Sequence, residues 1–147
     1  MTTLLPPALL ARVGACEAYR IAPDDTNYFA ILFDPQTEEF ANVCVVEIFE
    51  AGGRTPPNSH QIAHEFFYVL EGQGIAHCGG DSFAVAKGDA LLLRPGTEHV
   101  IENTGSGRLY TLTVMTPNEG FAELIRRGEP VELDAADRAV LCAGGGG

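Results

Sequence analysis

Between residues 43 and 115 the chain alternates short apolar runs with glycine-rich punctuation. The runs fall at 43–50, 66–71, 74–78, 82–86, 90–94, 97–103 and 109–115. Between them lie turn signals such as Gly52-Gly53, Gly72-Gln73-Gly74, Gly79-Gly80-Asp81 and Gly105-Ser106-Gly107. Strands at this spacing, joined by tight turns, predict an antiparallel sandwich or barrel rather than βαβ units. An earlier run, 28–33, predicts a further strand at the sheet edge. A two-residue hairpin at Gly72-Gln73 would pair Phe67 with Cys78 and Tyr68 with His77. That register turns Glu65, Phe67, Val69 and Cys78 toward the interior, and His64 and His77 away from it.

The two ends read differently. Pro6–Val13 predicts a short helix with Pro7 in its first turn. Beyond Pro117, Asn118 is placed as an N-cap and Glu119 at the positive end of a helix. Phe121, Leu124 and Ile125 share one helical face, and Gly128 is the stop. A second helix is expected from Asp134 to Leu141, and 143–147 as a flexible tail. The expectation is one domain over 1–147, with barrel strands at about 28–116 and a helical segment with its tail at 117–147.

The 147 residues carry a net charge of −11, which disfavours nucleic-acid backbones and anionic lipid surfaces. No apolar run approaches the length of a membrane span. Met1–Pro7 lacks the charged start and unbroken apolar stretch of a secretory signal. Cys16, Cys44, Cys78 and Cys142 are widely spaced, with no Cys-x-x-Cys pair. They read as free thiols in a reducing cytoplasm.

Chemistry-bearing residues concentrate in two places. One is Gly52-x5-Asn58-Ser59-His60-x4-Glu65-x6-Gly72; the other is Gly88-x5-Arg94-Pro95-Gly96-x2-His99-x3-Asn103. Imidazole and carboxylate are the side chains that hold a borderline divalent ion, and three of them on one face leave positions open for a substrate. His64 and His77 stand outside this spacing and are read as non-ligands.

These two clusters resemble the paired motifs of the cupin superfamily. The first departs from the pattern at Asn58, which stands where the first histidine belongs. The second departs at Arg94, which replaces a proline. The resemblance implies an all-β, cupin-type antiparallel β-barrel or jelly roll with short terminal helices. It implies a divalent ion (Fe, Mn, Ni or Zn) held by His60, Glu65 and His99, with Asn58 as a weaker fourth candidate. Phe67, Val69 and Cys78 would line the pocket. The function implied is that of a metal-dependent enzyme acting on a small organic molecule by oxygenase, isomerase or lyase chemistry. The alternative is a non-catalytic binding or sensory module. Glu98 and Tyr68 are weak candidates for a proton-moving base, and a homodimer is expected.

Overall fold

The computed structural model describes residues 5–37 and 39–144. Among the described residues, ten strands form two antiparallel sheets. In chain order they are β1 (Ala18–Arg20), β2 (Asn27–Phe33), β3 (Val43–Phe49), β4 (His64–Glu71), β5 (Gln73–Cys78), β6 (Asp81–Ala86), β7 (Ala90–Leu93), β8 (His99–Asn103), β9 (Leu109–Thr116) and β10 (Glu129–Val131). Seven lie in the order β10-β1-β2-β3-β9-β4-β7, and the other three in the order β6-β5-β8. This is the all-β jelly roll of the cupin fold, and among the described residues its two α-helices flank β10 in the C-terminal segment.

The strand runs read from the sequence survive within a residue or two, but two neighbour relations and one terminal element differ. The 28–33 run is an inner strand: β2 pairs with β1 on one side and β3 on the other, and β10 and β7 form the edges. The hairpin at Gly72-Gln73 is absent. Phe67 pairs with Thr113 and Leu91, while Cys78 pairs with Asp81 and His99, in the opposite sheet. Gly72 sits at a sheet crossover with φ near +95°, and an added Cβ would meet the Arg108 carbonyl oxygen at 2.8 Å, so the chain needs glycine there. The Pro6–Val13 helix is also absent. That stretch has a single 3-10 turn at Val13–Ala15 and leaves Leu9 and Leu10 exposed. With Pro6 and Pro7 side by side and no apolar face to bury, helix nucleation has nothing to repay it.

Parity along the strands sorts the interior into layers. Val43, Val45, Met115, Phe29 and Ile31 form one apolar cluster, which Ala122 and Ile125 of α1 (Phe121–Arg126) complete. Phe49, Phe67, Val69, Leu93, Ile101 and Leu109 form another. Between the two, the same strands present Glu47, Thr111, Thr113 and Glu65, so a polar belt crosses an otherwise hydrophobic barrel.

A third cluster lies on the outer face of the large sheet, where Tyr28, Ala30, Val46, Ile48 and Tyr110 pack beneath Leu133 and Leu141. With both faces covered, β2 and β3 read as nearly continuous apolar runs. The covering helix α2 (Ala135–Leu141) begins as expected at Asp134, which forms a reciprocal capping box with Asp137. Asp137 is fully buried and accepts hydrogen bonds from Tyr28 Oη (2.8 Å), Tyr110 Oη (2.8 Å) and Arg108 Nη1 (2.9 Å), which fastens the helix to the sheet. The part of the expected tail at 145–147 lies outside the described residues.

A candidate metal centre between the two sheets

Backbone contacts bring the two sequence clusters together. The segment before β4 lies antiparallel to β8. Asn58 N–H donates to the His99 carbonyl at 3.2 Å, and His99 N–H returns the bond to the Asn58 carbonyl at 2.8 Å. Gly96 N–H donates to the His60 carbonyl at 2.7 Å, so the Pro95-Gly96 turn holds the loop that carries His60. Asn103 cross-links the far end. Its Nδ2 donates to the carbonyls of Phe49, Glu50 and Gly107, and its Oδ1 accepts from Gly105 N–H.

The imidazoles of His60 and His99 and the carboxylate of Glu65 converge. Glu65 Oε1 lies 2.8 Å from His99 Nε2 and 3.3 Å from His60 Nε2, and one donor atom from each residue falls within 4.8 Å of the others. Ligands about 2.1 Å from a common ion and at right angles to one another stand about 3.0 Å apart, so this spacing fits a single divalent cation. Glu65 and His99 are almost wholly buried and His60 is half-buried.

Proton placement strengthens the fit. His99 Nδ1 lies 3.1 Å from the Thr97 carbonyl, which can only accept, so the ring hydrogen sits on Nδ1. That bond orients the ring so that Nε2 faces Glu65 Oε1, as in metal sites where a ligating imidazole donates its other N–H to a carbonyl.

The electrostatics agree with this picture. Burial works to raise the Glu65 carboxyl, but hydrogen bonds and charge from His60 and His99 outweigh it and hold the group below its ordinary value. The hydrogen bond to Glu65 raises the His60 imidazole despite burial.

The three groups open onto a cavity of about 430 Å³. Phe29, Glu47, Phe67 and Ile101 wall it from the barrel, and Phe121 and Leu124 wall it from α1. Asn58 is an exposed residue on the lining. Of the other pocket residues expected from the sequence, Phe67 lines the cavity. Val69 and Cys78 pack in or against the apolar cluster beneath it and are not part of the lining. Tyr68 lies on the outer face, and neither Tyr68 nor Glu98 reaches the cavity. His64 is apart from the donor set, and His77 bonds Ser82 and Glu102.

Two acidic residues emerge only from the structure. Glu119 was assigned to the start of a helix, yet its carboxylate turns the other way. It accepts from the N–H groups of Gln61 (2.9 Å), Ile62 (2.6 Å) and Ala63 (2.9 Å), bracing the loop between His60 and β4. These backbone bonds, Ile62 first, hold its carboxyl below the ordinary value. Helix α1 is served instead by Asn118, whose Oδ1 accepts from Ala122 N–H at 2.8 Å. The second residue is Glu47, fully buried in the polar belt. Desolvation, helped by the negative charge of Glu65, pushes its carboxyl up to about 8. A lone glutamate in VCVVEIF carries no motif, but its inward parity in an apolar strand is a legible signal.

The fold and this donor set define a cupin-type barrel with room for a metal ion at its centre. Residues 45–115 match the family model described as Cupin domain. The chain is 36% identical over 70 residues to an uncharacterized protein of Methanocaldococcus jannaschii, covering 48% of this chain and 56% of that one. It is 34% identical over 68 residues to the oxalate-binding protein of Thermotoga maritima, covering 42% of this chain and 56% of that one. The chain thus spans little more than half the length of these curated relatives. Among solved structures, a predicted oxalate decarboxylase from Thermotoga maritima superposes with a TM-score of 0.67 at 23% identity, covering 73% of this chain and 97% of that one. The chain is thus similar to the Cupin domain family over a little under half of its length and shares the fold of the solved neighbour.

Proposed function

We propose that this chain is a metal-dependent cupin whose His60, Glu65 and His99 hold one divalent cation and present a small oxygen-rich molecule to it. The supporting observation is the convergence of two imidazole Nε2 atoms on one buried carboxylate oxygen. Iron, manganese, nickel and zinc all accept such a set, and Asn58 can add an amide oxygen or bond the ligand. When bound, the ion supplies Lewis acidity or an open site for O₂. The chain's residues do the rest. The aromatic and aliphatic walls exclude water from the ligand, and Glu119 steadies the loop that positions His60.

The relative named for oxalate binding supports a small oxygen-donor ligand, and a lyase, isomerase or oxygenase reaction is the enzymatic reading. A binding or sensory role is the second reading, favoured by Asn58 in place of a third imidazole. In either reading the protein acts as a single domain, in the cytoplasm, consistent with four free thiols. It works as a homodimer, which would cover the exposed apolar side chains of Tyr68 and Leu92. Metal analysis of protein purified without chelator tests the core of this reading. About one ion per chain in wild type, and loss in His99→Ala, is expected; an empty wild-type site after incubation with each of the four metals would overturn it. Turnover of a small carboxylate by the loaded protein selects the enzyme over the binder.

A further inference from the structure

The cavity contains a polar group that the metal centre does not use. Asn27 has the inward parity of Phe29, is 3% exposed and lines the cavity. Its Nδ2 donates to Glu47 Oε2 at 2.8 Å, while its Oδ1 is buried without any hydrogen-bond partner. A buried, unpaired amide oxygen costs about 1–3 kcal/mol, a penalty that a ligand can relieve.

The orientation of the amide follows from its neighbour. Thr113 Oγ1 donates to Glu47 Oε1 at 3.1 Å, which fixes the carboxyl group beside the amide. Glu47 Oε2 accepts from the amide N–H₂ and draws it toward itself. The unpaired atom of Asn27 is therefore the carbonyl oxygen, which accepts a hydrogen and cannot give one.

Charge narrows the ligand further. Asp25, Glu47, Glu65 and Glu119 all line the cavity, and among the described residues no lysine or arginine does. A second carboxylate on the ligand, away from the ion, would meet acidic walls without a cationic partner.

We propose that Asn27 Oδ1, oriented by Glu47, is a second recognition point that accepts a hydrogen from a hydroxyl or ammonium group of a small ligand whose opposite end is the metal-chelating oxygens. This deepens the reading above and rests on it. The ligand class is a chelating hydroxy acid bearing a further hydrogen-bond donor, not a bare dicarboxylate.

The test uses four probes that share a 2-hydroxycarboxylate chelating end and differ only at the far carbon. Lactate carries hydrogen there, glycerate a hydroxyl, isoserine an ammonium and tartronate a carboxylate. Each is titrated calorimetrically into the manganese-loaded protein, together with its one-carbon-longer homologue. Glycerate or isoserine, or a homologue of either, is expected to bind about fivefold tighter than its unsubstituted partner, the worth of one neutral hydrogen bond. Tartronate should gain nothing. In Asn27→Leu the preference should fall to near one. Equal affinities throughout, a preference for tartronate, or a preference that survives Asn27→Leu overturns the proposal. The wild-type comparison decides the matter even if the variant does not fold. Manganese content is measured in the same samples. Wild type that takes up no metal condemns the metal-centre reading, whereas loaded protein blind to the far substituent condemns only the role of Asn27.

Discussion

Replacing Glu47 with glutamine isolates a single buried proton. The glutamine amide keeps the shape of the acid: its oxygen accepts from Asn27 Nδ2 and its N–H₂ donates to Thr113 Oγ1. What disappears is the titration. In the wild type the carboxyl rises from an ordinary value of 4.5 to about 8, because desolvation and the Glu65 charge disfavour its ionised form. The folded state therefore holds a proton that the unfolded chain releases above about pH 4.5. Stability contributed by this group is complete below that value and is lost as pH climbs toward 8. The slope is about 1.4 kcal/mol per pH unit, with a ceiling of about 5 kcal/mol over the whole interval.

Urea denaturation in chelator, at about pH 5.5 and pH 7.5, should show wild type losing about 2 kcal/mol relative to Glu47→Gln. Other groups titrate equally in both proteins, so the difference between the two profiles reports on Glu47. Parallel profiles, agreeing within about 0.5 kcal/mol, would show that the carboxyl is not held neutral and would refute the argument. Loading a divalent ion beside Glu65 should flatten the wild-type slope, since the added positive charge favours ionised Glu47.

Three further outcomes are expected. His60→Ala and His99→Ala should each lower metal affinity by tenfold or more while the far-ultraviolet circular dichroism stays that of a β barrel; undiminished metal in both would show that the donor set is incidental. Asp137→Ala strands two buried tyrosine hydroxyls and part of an arginine, and should cost about 3 kcal/mol in chemical denaturation, with a loss below 1 kcal/mol arguing against the network. Glu119→Ala should raise amide hydrogen exchange at Gln61, Ile62 and Ala63 and weaken metal binding, and unchanged exchange there would remove its bracing role.

The sequence was most informative where one physical rule acted alone. Glycine punctuation bounded the strands, and Asp134 announced α2 because a capping box is a local device. Motif spacing selected His60, Glu65 and His99, which the fold does bring together. It was weakest where distant segments compete. The hairpin expected at Gly72 is replaced by a crossover because β4 finds partners in β7 and β9, and nothing within residues 66–78 records that competition. Parity nevertheless held: the interior faces of β4 and β5 stayed as read, since alternation is fixed by the pleat and not by the partner. Asn27 and Glu119 were illegible as site residues. Each acts through a contact 20 or more positions away, the first with Glu47 and the second with the loop at 61–63.

The carboxylate of Glu119 has a wider consequence. It sits at the doorstep of α1, whose Phe121 and Leu124 roof the cavity, and it grips the main chain immediately after His60. Roof and donor loop are thus one mechanical unit. A substitution that reshapes the entrance to admit a bulkier guest will also drag on an imidazole, so guest size and ion grip in this barrel are tuned together.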